Sequence, residues 1–562
     1  MLMSMKTRLA GMVLASLCAA AAQSTARVRQ HPAPAASDAA AGAASAGPAG
    51  KLRHIVVIFQ ENISFDHYFA TYPKAKNAAG EPEFRALPGT PRVDGLSGKL
   101  LTANPNFLNK ENGKGAVNPF RLDRSQAATA DQDHGYTAEQ RAFDGGRMDL
   151  FPKYTGAPNR VLLPEKDSPL NTKGLTMGYF DGNTVTALWN YAQHYAMSDR
   201  TFGTMFGPSA VGALNLVSGQ TNGIVQAING REGVVDGGAG TLSDIADPQP
   251  VGDVCSNPAG TQIAMGGRNI GNLLNDAGVS WGWFSGGFDL QTVNPDGTTH
   301  CLRSSHSAVT GRIERDYEPH YEAFQYYAST ANPRHLRPAS VAMIGKAGDR
   351  ANHQYDVNDF YAAIRAGNFP AVSFLKAPKY ENGHAGNSDP VDEQRFLVQV
   401  INFLERQPDW NRTAVIVAYD DSDGWYDHVA GPIVNGSSGS SDAYSAPGRC
   451  GSGIPRLPGI DPHNRHAEAR CGYGPRLPLL VISPWAKPNY VSSATTDQTS
   501  ILRLIEDTFL HGQRIGQGSY DALSGSLDPM FDFSHAGPQN TKRLRLNPST
   551  GEIESGTAAA KR

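Results

Sequence analysis

The sequence predicts an α/β fold in which a mostly parallel central sheet carries helices on both faces, with long loop insertions. Nearly continuous apolar runs alternate with helical and loop segments, and such runs are typical of strands buried on both faces. The 60 glycines and 37 prolines indicate many ordered loops. The predicted strands cover residues 54–59, 279–284, 371–375, 413–419 and 476–483, and an amphipathic helix is predicted over 390–407.

The two ends of the chain differ in composition from the region between them. Residues 1–26 combine early basic residues with the short apolar core "LAGMVLASLCAAAA", which predicts a signal peptide and a protein exported to the periplasm or secreted. Residues 27–50 are rich in Ala and Pro and predict a disordered linker. We expect a catalytic domain over 51–538 and a loose C-terminal tail over 539–562.

Charge and hydropathy indicate neither nucleic-acid binding nor a membrane-spanning segment. The net charge of −3 and pI of about 6.6 indicate no basic field for nucleic acid. No long apolar run follows residue 26, so we expect no integral membrane segment in the mature chain. The sequence leaves the oligomeric state unspecified.

Four cysteines follow the predicted signal peptide, and an even number in an exported protein favours disulfides. Four cysteines permit three pairings. Proximity along the chain favours Cys255 with Cys301 and Cys450 with Cys471. A zinc site is less expected, because there is no C-x-x-C pair.

Polar side chains follow two of the predicted strands. "HIVVIFQENISFDHYFATYP" delivers Glu61 and Asn62, and "TAVIVAYDDSDGWYDH" delivers Asp420, Asp421 and Asp423. Ligands bind at strand ends in such sheets, and these side chains together offer the all-oxygen donors that hard divalent cations prefer. The alternatives are an acidic turn at 420–423 and a helix-capping role for Glu61.

A hydroxyl and several histidines are further candidates. In "FGPSAVGALNLVSGQT", Ser209 stands at a predicted helix start, where it is either a nucleophile or an ordinary N-cap. The histidines in polar or aromatic surroundings, each of which has a structural alternative, are His134, His320, His384 and His428.

These segments resemble one known family. "ENISFDHYFATYP", "FGPSAVGALNLVSGQT", "HAGNSDP", "AYDDSDGWYDHV" and "GPRLPLLVISPWAK" are similar, in order, to blocks of the bacterial phosphoesterase family that contains acid phosphatase A and the non-specific phospholipases C. The resemblance covers roughly residues 51–535. Ile63 and Ala70 depart from the family's Arg and Gly, and neither position supplies chemistry in the expected mechanism.

The resemblance implies an alkaline-phosphatase-like fold with one divalent metal ion of unspecified identity. The implied metal ligands are Glu61, Asn62, Ser209, Asp420 and Asp421. Ser209 matches the family's nucleophile, and the implied contacts of the phosphoryl group are Asn62, Ser209, His134, His320 and His384.

The implied function is a broad-specificity acid phosphatase that cleaves phosphate monoesters through a phosphoserine. The alternative is a phospholipase C that cleaves phospholipids such as phosphatidylcholine, and an inactive surface-interaction relative is less favoured. Ser209, where the phospholipases often have Thr, and a chain that ends soon after the last block favour the phosphatase. Aromatic residues that fit either a choline pocket or core packing are Trp281, Trp283, Phe324, Tyr326 and Tyr327.

Overall fold

A nine-stranded sheet organises the protein in this computed structural model, which describes residues 47–159, 168–460 and 467–554. The strands of this sheet, in chain order, are β1 His54–Gln60, β2 Ala196–Phe202, β3 Trp281–Ser285, β4 Gln354–Asp356, β5 Val372–Lys376, β6 Thr413–Tyr419, β7 Arg476–Ile482, β8 Tyr490–Ser492 and β9 Thr496–Asp497.

The spatial order is β4-β3-β5-β1-β6-β7-β2-β8, and β9 also pairs with β2. Strand β7 runs antiparallel to both of its neighbours, whereas the other pairs are parallel. Every residue of β1, β6 and β7 is buried, so both faces of the sheet centre are covered. The predicted mostly parallel α/β sheet is confirmed.

The α-helices of five residues or more within the described ranges are α1 Phe65–Phe69, α2 Tyr136–Phe143, α3 Thr186–His194, α4 Ser209–Ser218, α5 Ile270–Asp276, α6 Val357–Arg365, α7 Pro390–Glu405 and α8 Thr499–Phe509. Four-residue α-helices span Lys99–Thr102, Pro105–Leu108 and Phe151–Tyr154. Helix α7 begins where its acidic start predicts, because the side chain of Asp389 accepts from two first-turn amides. It ends two residues before the predicted boundary.

The five predicted strands correspond to β1, β3, β5, β6 and β7, with ends displaced by two residues at most. Strand β2 was missed, because Ser198, Asp199 and Arg200 interrupt its apolar pattern. Tertiary contacts stabilise it instead, including an ion pair of 2.7 Å between Arg200 Nη2 and Asp94 Oδ2.

The long loop insertions, predicted over residues 225–310 and 430–475, carry one disulfide each, and the first also carries small strand pairs. Minor strands outside the central sheet are Phe120–Arg121, Gly178–Tyr179, Ile224–Ile228, Val234–Asp236, Leu242–Asp244, Gln249–Pro250, Gln262–Met265, Ser304–His306 and Ile313–Arg315. Cys255 pairs with Cys301, and Cys450 pairs with Cys471. The pairing favoured by proximity is therefore confirmed.

The predicted signal peptide and residues 27–46 of the predicted linker lie outside the described residues. The predicted loose tail is corrected for residues 539–554. Leu544 and Leu546 are buried in the main core, and Asn402 Nδ2 donates to Leu546 O at 2.8 Å. Among the described residues, no helix has both the length and the apolar character that crossing a membrane requires.

Candidate active site

Two loops meet at the carboxyl ends of the adjacent parallel strands β1 and β6. Glu61 and Asn62 directly follow β1, and Asp420 and Asp421 directly follow β6. The backbone N–H of Asn62 donates to Asp420 Oδ1 at 2.8 Å, and all four residues are buried. The sheet register alone therefore brings together side chains that are some 360 positions apart in the sequence.

Ser209 brings a hydroxyl to these loops from the first residue of α4. Its Oγ donates toward Glu61 Oε2 at 3.0 Å, Asp421 Oδ2 at 3.2 Å and Asn62 Oδ1 at 3.3 Å. The N-cap of α4 is Pro208, and no side chain of the cap residue bonds the helix. The N-cap interpretation of Ser209 is therefore wrong, since the hydroxyl faces carboxylate and amide oxygens.

The backbone N–H of the residue after Ser209 already donates a hydrogen bond to a carboxylate. Ala210 N–H donates to Asp247 Oδ1 at 2.8 Å, so a carboxylate from a remote loop caps the start of α4. An anion that approached this helix N-terminus would meet Asp247 at that amide.

Lys376, the last residue of β5, is the buried cation nearest to these carboxylates. Its Nζ contacts Glu61 Oε1 and lies 3.6 Å from Asp420 Oδ2. Burial and the neighbouring Asp420 raise the pKa of Glu61 well above its usual value. Burial also opposes ionisation of Asp420, but Lys376 and hydrogen bonds to its carboxylate lower its pKa.

The donor set fits a hard divalent cation. Lys376 pairs with Glu61 and Asp420, and with Asp421 included the group carries a net charge of two negative charges when all three carboxyl groups are ionised. Apart from the contacts with Lys376, Glu61 Oε1 and Asp420 Oδ2 accept no hydrogen bond from the described residues. Oxygen ligands in this number and charge suit Mg²⁺, Ca²⁺ or Mn²⁺.

His134 and His384 lie beside Asn62. His134 Nε2 is 3.3 Å from Asn62 Nδ2, and its ring centroid is 5.9 Å from that of His384. Burial opposes protonation of His134, but Asp421, Asp423 and Asp131 outweigh it and raise its pKa well above normal. Burial lowers the pKa of His384.

We call the cluster of Glu61, Asn62, Ser209, Asp420 and Asp421 the centre. Asp423 lies on the same side of the centre as His134 and His384. Its Oδ1 accepts from Asn62 Nδ2 at 3.2 Å and lies 3.4 Å from His134 Nδ1. Donor atoms of Asp131, His134, His384 and Asp423 all lie within 4.8 Å of one another, a second group with metal-ligand chemistry.

Two of the candidate histidines have their closest polar contacts elsewhere. His320 Nδ1 lies 3.2 Å from Glu318 Oε1, which together with other charges raises its pKa against the effect of burial. His428 Nδ1 lies 2.6 Å from Asp66 Oδ2, in a buried cluster with Asp427 and Arg476. The structural alternative for His428 is a hydrogen bond within its own turn, and the observed partner is instead Asp66 of α1.

The aromatic residues considered for a choline pocket are core residues. All five are at most 2% exposed and belong to the main hydrophobic cluster. Tyr326 donates to Pro248 O and Tyr327 to Ser218 Oγ, so their hydroxyls are also satisfied internally.

Sequence reasoning missed two buried charged residues that adjoin the centre. Lys376 had a usable signal, because a lysine directly after the apolar run 371–375 is expensive to bury without an anionic partner. Glu139, on α2, accepts from Ser422 Oγ at 2.6 Å and had no comparable signal.

Comparison with known proteins gives one family and several remote relatives. Residues 52–510 match the Phosphoesterase family. A non-hemolytic phospholipase C of Pseudomonas aeruginosa is 23% identical over 90% of this chain and 60% of its own length. Phospholipase C A of Mycobacterium tuberculosis is 23% identical over 88% of this chain and 80% of its own.

The chain thus spans about 60% of the length of the first of these relatives. A solved structure of murine ectonucleotide pyrophosphatase/phosphodiesterase 5 has a TM-score of 0.27 and 13% identity, covering 62% of this chain and 94% of that one. This similarity is too low to bear on fold or function.

Proposed function

Because the chain belongs to the Phosphoesterase family, we propose that it hydrolyses phosphate esters, with Ser209 as the nucleophile. One observation carries the proposal. Ser209 Oγ lies within 3.3 Å of oxygens of Glu61, Asn62 and Asp421 at the carboxyl edge of the sheet. A hydroxyl has one hydrogen to donate, so three acceptor oxygens around Ser209 Oγ exceed what its own hydrogen bonding requires.

The residues that would hold a divalent cation are Glu61, Asn62, Ser209, Asp420 and Asp421. Such a cation would lower the pKa of the Ser209 hydroxyl and offset the negative charge of the phosphoryl oxygens. We propose one divalent metal ion of unspecified identity in this protein, and membership of the alkaline-phosphatase-like superfamily.

The chain's own residues supply the remaining chemistry. Ser209 Oγ attacks phosphorus while its proton passes to a neighbouring carboxylate oxygen, at 3.0 Å in the case of Glu61. Asn62 Nδ2 donates to a phosphoryl oxygen, and His134, which its carboxylate neighbours keep protonated, donates to the leaving oxygen. The bond between phosphorus and the leaving oxygen breaks, and the protonated alcohol departs. Water then attacks the phosphoserine, inorganic phosphate is released, and the proton returns to Ser209 Oγ. His384 and His320 are proposed to contact the phosphoryl group.

We favour phosphate monoesters as substrates and acid phosphatase activity of broad specificity, in a protein exported to the periplasm or secreted. Ser209 as the nucleophile supports this choice. The second candidate is a phospholipase C that cleaves a phospholipid diester. The names of the two bacterial relatives favour it, since both are called phospholipase C.

A comparison of two chromogenic substrates tests the proposal. Purified protein is assayed with p-nitrophenyl phosphate and p-nitrophenylphosphorylcholine at acidic and neutral pH, as wild type and as Ser209→Ala. We expect monoester turnover that falls by roughly a thousandfold or more in the variant. Ser218→Ala makes the same chemical change at the far end of α4 and should retain activity.

Preference for the choline diester, again lost in Ser209→Ala, would assign the protein to the phospholipase C alternative. Activity that survives Ser209→Ala would contradict the nucleophile assignment. Absence of turnover of either ester by folded, metal-supplemented wild type would contradict the proposed function.

A further inference from the structure

We propose that Glu139 is a positioning residue that holds the loop before Ser209 against the loop that carries Asp421. This inference rests on the proposed function, because it assigns Glu139 a part in placing the nucleophile. Glu139 itself has no contact with Ser209 or with the carboxylates of the centre among the hydrogen bonds of the described residues.

The two oxygens of Glu139 reach two different segments of the centre. Oε2 accepts from the backbone N–H of Gly207 at 3.1 Å, two residues before the nucleophile. Oε1 accepts from Ser422 Oγ at 2.6 Å, and Ser422 stands between Asp421 and Asp423. One rigid carboxylate therefore spans the nucleophile loop and the acidic loop.

Other hydrogen bonds hold earlier residues of the nucleophile loop, among them Phe206 N–H to Cys471 O at 3.1 Å, but the bond to Glu139 is nearest to Ser209. Pro208 has no N–H, so Gly207 carries the last backbone donor before Ser209. Gly207 has φ of 123°, a conformation that residues with a side chain rarely adopt. The bond to Glu139 therefore fixes the chain at a flexible point immediately before the reacting hydroxyl.

Glu139 is buried at a cost to the fold. It is 1% exposed, burial raises its pKa to about 7, and no Lys or Arg pairs with it in the described parts of the chain. A buried carboxyl group without a basic partner is a weak source of stability. Its two bonds instead join elements whose separation determines where Ser209 Oγ lies.

Helix α2 connects this bond to the histidine side of the centre. The helix begins at Tyr136, two residues after His134, and Glu139 N–H donates to Gly135 O within its first turn. The same short segment therefore places His134 and braces Ser209. Displacement of a nucleophile by about 1 Å can lower a rate a hundredfold.

The inference predicts that substitutions of Glu139 or Ser422 change kcat more than KM. A residue that places the nucleophile without touching substrate affects the reaction step more than substrate binding. Glu139→Met removes both acceptor oxygens at nearly constant volume and so breaks both bonds. Glu139→Gln is unsuitable, because its amide N–H₂ can donate to Ser422 Oγ and restore the second bond. Ser422→Ala removes the bond to the acidic loop and keeps the carboxylate.

The experiment measures kcat and KM for p-nitrophenyl phosphate in wild type, Glu139→Met, Ser422→Ala and the double variant, with thermal unfolding of each. The matched control is Gln140→Ala. Gln140 is the next residue of α2 and equally buried, but it accepts from the amides of Ala443 and Tyr444, away from Ser209.

We expect each single variant to lower kcat by about tenfold to about a hundredfold, with KM changed by less than about threefold. The double variant should lose no more than the worse single variant, since both remove one connection. Gln140→Ala should lower the unfolding temperature and leave kcat unchanged.

Normal kcat in Glu139→Met or in Ser422→Ala would overturn the inference, as would independent, multiplicative losses in the double variant. If Glu139→Met does not fold, Ser422→Ala decides alone. Activity that requires Ser209 but is indifferent to these variants would leave the proposed function standing. Wild type without any turnover would overturn both.

Discussion

Asn62 occupies a left-handed backbone conformation, with φ of 63°, directly after β1. Asparagine tolerates this region better than most residues, and strained positions of this kind cluster at functional sites. The conformation directs the backbone N–H to Asp420, while the side chain reaches Ser209, Asp423 and His134. Asn62 thus contacts the loop after β6, the nucleophile candidate Ser209 and the histidine side of the centre.

Gly212 allows α4 to approach the acidic loop. A Cβ at this position would lie 2.3 Å from the backbone oxygen of Asp420, so Gly212→Ala must displace the helix that begins with Ser209. We expect kcat for phosphate-ester hydrolysis to fall by about tenfold or more. Steady-state kinetics measures the effect.

Gly271→Ala is the control for this prediction. Its Cβ would lie 2.4 Å from the ring of Trp281, a clash of similar severity in α5. It should therefore cost about 1 to about 3 kcal/mol of stability without a comparable loss of kcat. Equal kcat in wild type and Gly212→Ala would show that the close approach of α4 is irrelevant to the reaction.

Some site residues were predictable and others were not. Glu61, Asn62, Asp420 and Asp421 follow strongly apolar strands, and the sheet register alone brings such positions together. Glu139 was not predictable, because its partners come from distant loops that no local pattern links to α2. The contact between His320 and Glu318 is local, since the two residues are two positions apart, but it depends on the backbone conformation of that short segment.

At the scale of elements, the reversed direction of β7 has a structural consequence. Its first residue, Arg476, lies at the edge where β6 ends, below the loops of the centre. The buried guanidinium binds Asp427 Oδ1 at 3.0 Å and Asp66 Oδ1 at 3.0 Å, and so joins the loop after β6 to α1. Each of these segments continues from a pair of candidate metal ligands.

Replacement of Arg476 by Met should destabilise the fold strongly. The change leaves two buried carboxylates without their main cation, which typically costs about 3 to about 5 kcal/mol. Denaturant unfolding measures the loss. Arg268→Met removes an exposed pair with Asp276 and should cost less than about 1 kcal/mol. Similar stabilities of the two variants would refute a stabilising role for the cluster.

Apolar runs predicted five strands and a mostly parallel sheet, but not the antiparallel course of β7. A long insertion precedes β7, and a single sequence does not show on which side of the sheet such an insertion returns. Strand β2 escaped prediction since tertiary contacts, rather than an apolar pattern, stabilise its polar middle.

At the scale of the whole molecule, several ionisable groups away from the metal-ligand candidates have pKa values raised toward or above neutrality. Burial raises the pKa of Glu393 to about 8 and that of Glu506 to about 9. Burial opposes protonation of His428, but Asp66 and other carboxylates raise its pKa to about 9. Burial lowers the pKa of His67 to about 3.

These shifts predict that stability declines as pH rises from about 6.5 to about 9. A raised folded pKa means that the folded state holds the proton more tightly, so stability is lost until pH exceeds that pKa. Glu393 alone contributes roughly 2 kcal/mol of this decline between pH 6.5 and pH 8. The lowered pKa of His67 reduces stability only as pH falls below about 6.5, so it does not affect this range.

Urea unfolding across this pH range measures the decline, and Glu393→Gln should flatten it. Stability that rises from pH 6.5 to pH 9 would contradict the assignment of buried, proton-holding carboxyl groups.

The fold class itself was predictable because long apolar strands dominate the sheet. The packing of residues 539–554 was not, since only Leu544 and Leu546 fix that polar segment in the core.

Trapping of the phosphorylated enzyme tests the central claim most directly. Wild type and Ser209→Ala are mixed with p-nitrophenyl phosphate and a divalent cation, quenched in acid, and analysed by peptide mass spectrometry. We expect one phosphoryl group on the peptide that contains Ser209 in wild type, and none in the variant. Turnover without any phosphoryl group on Ser209, or phosphorylation of another residue, would contradict Ser209 as the nucleophile.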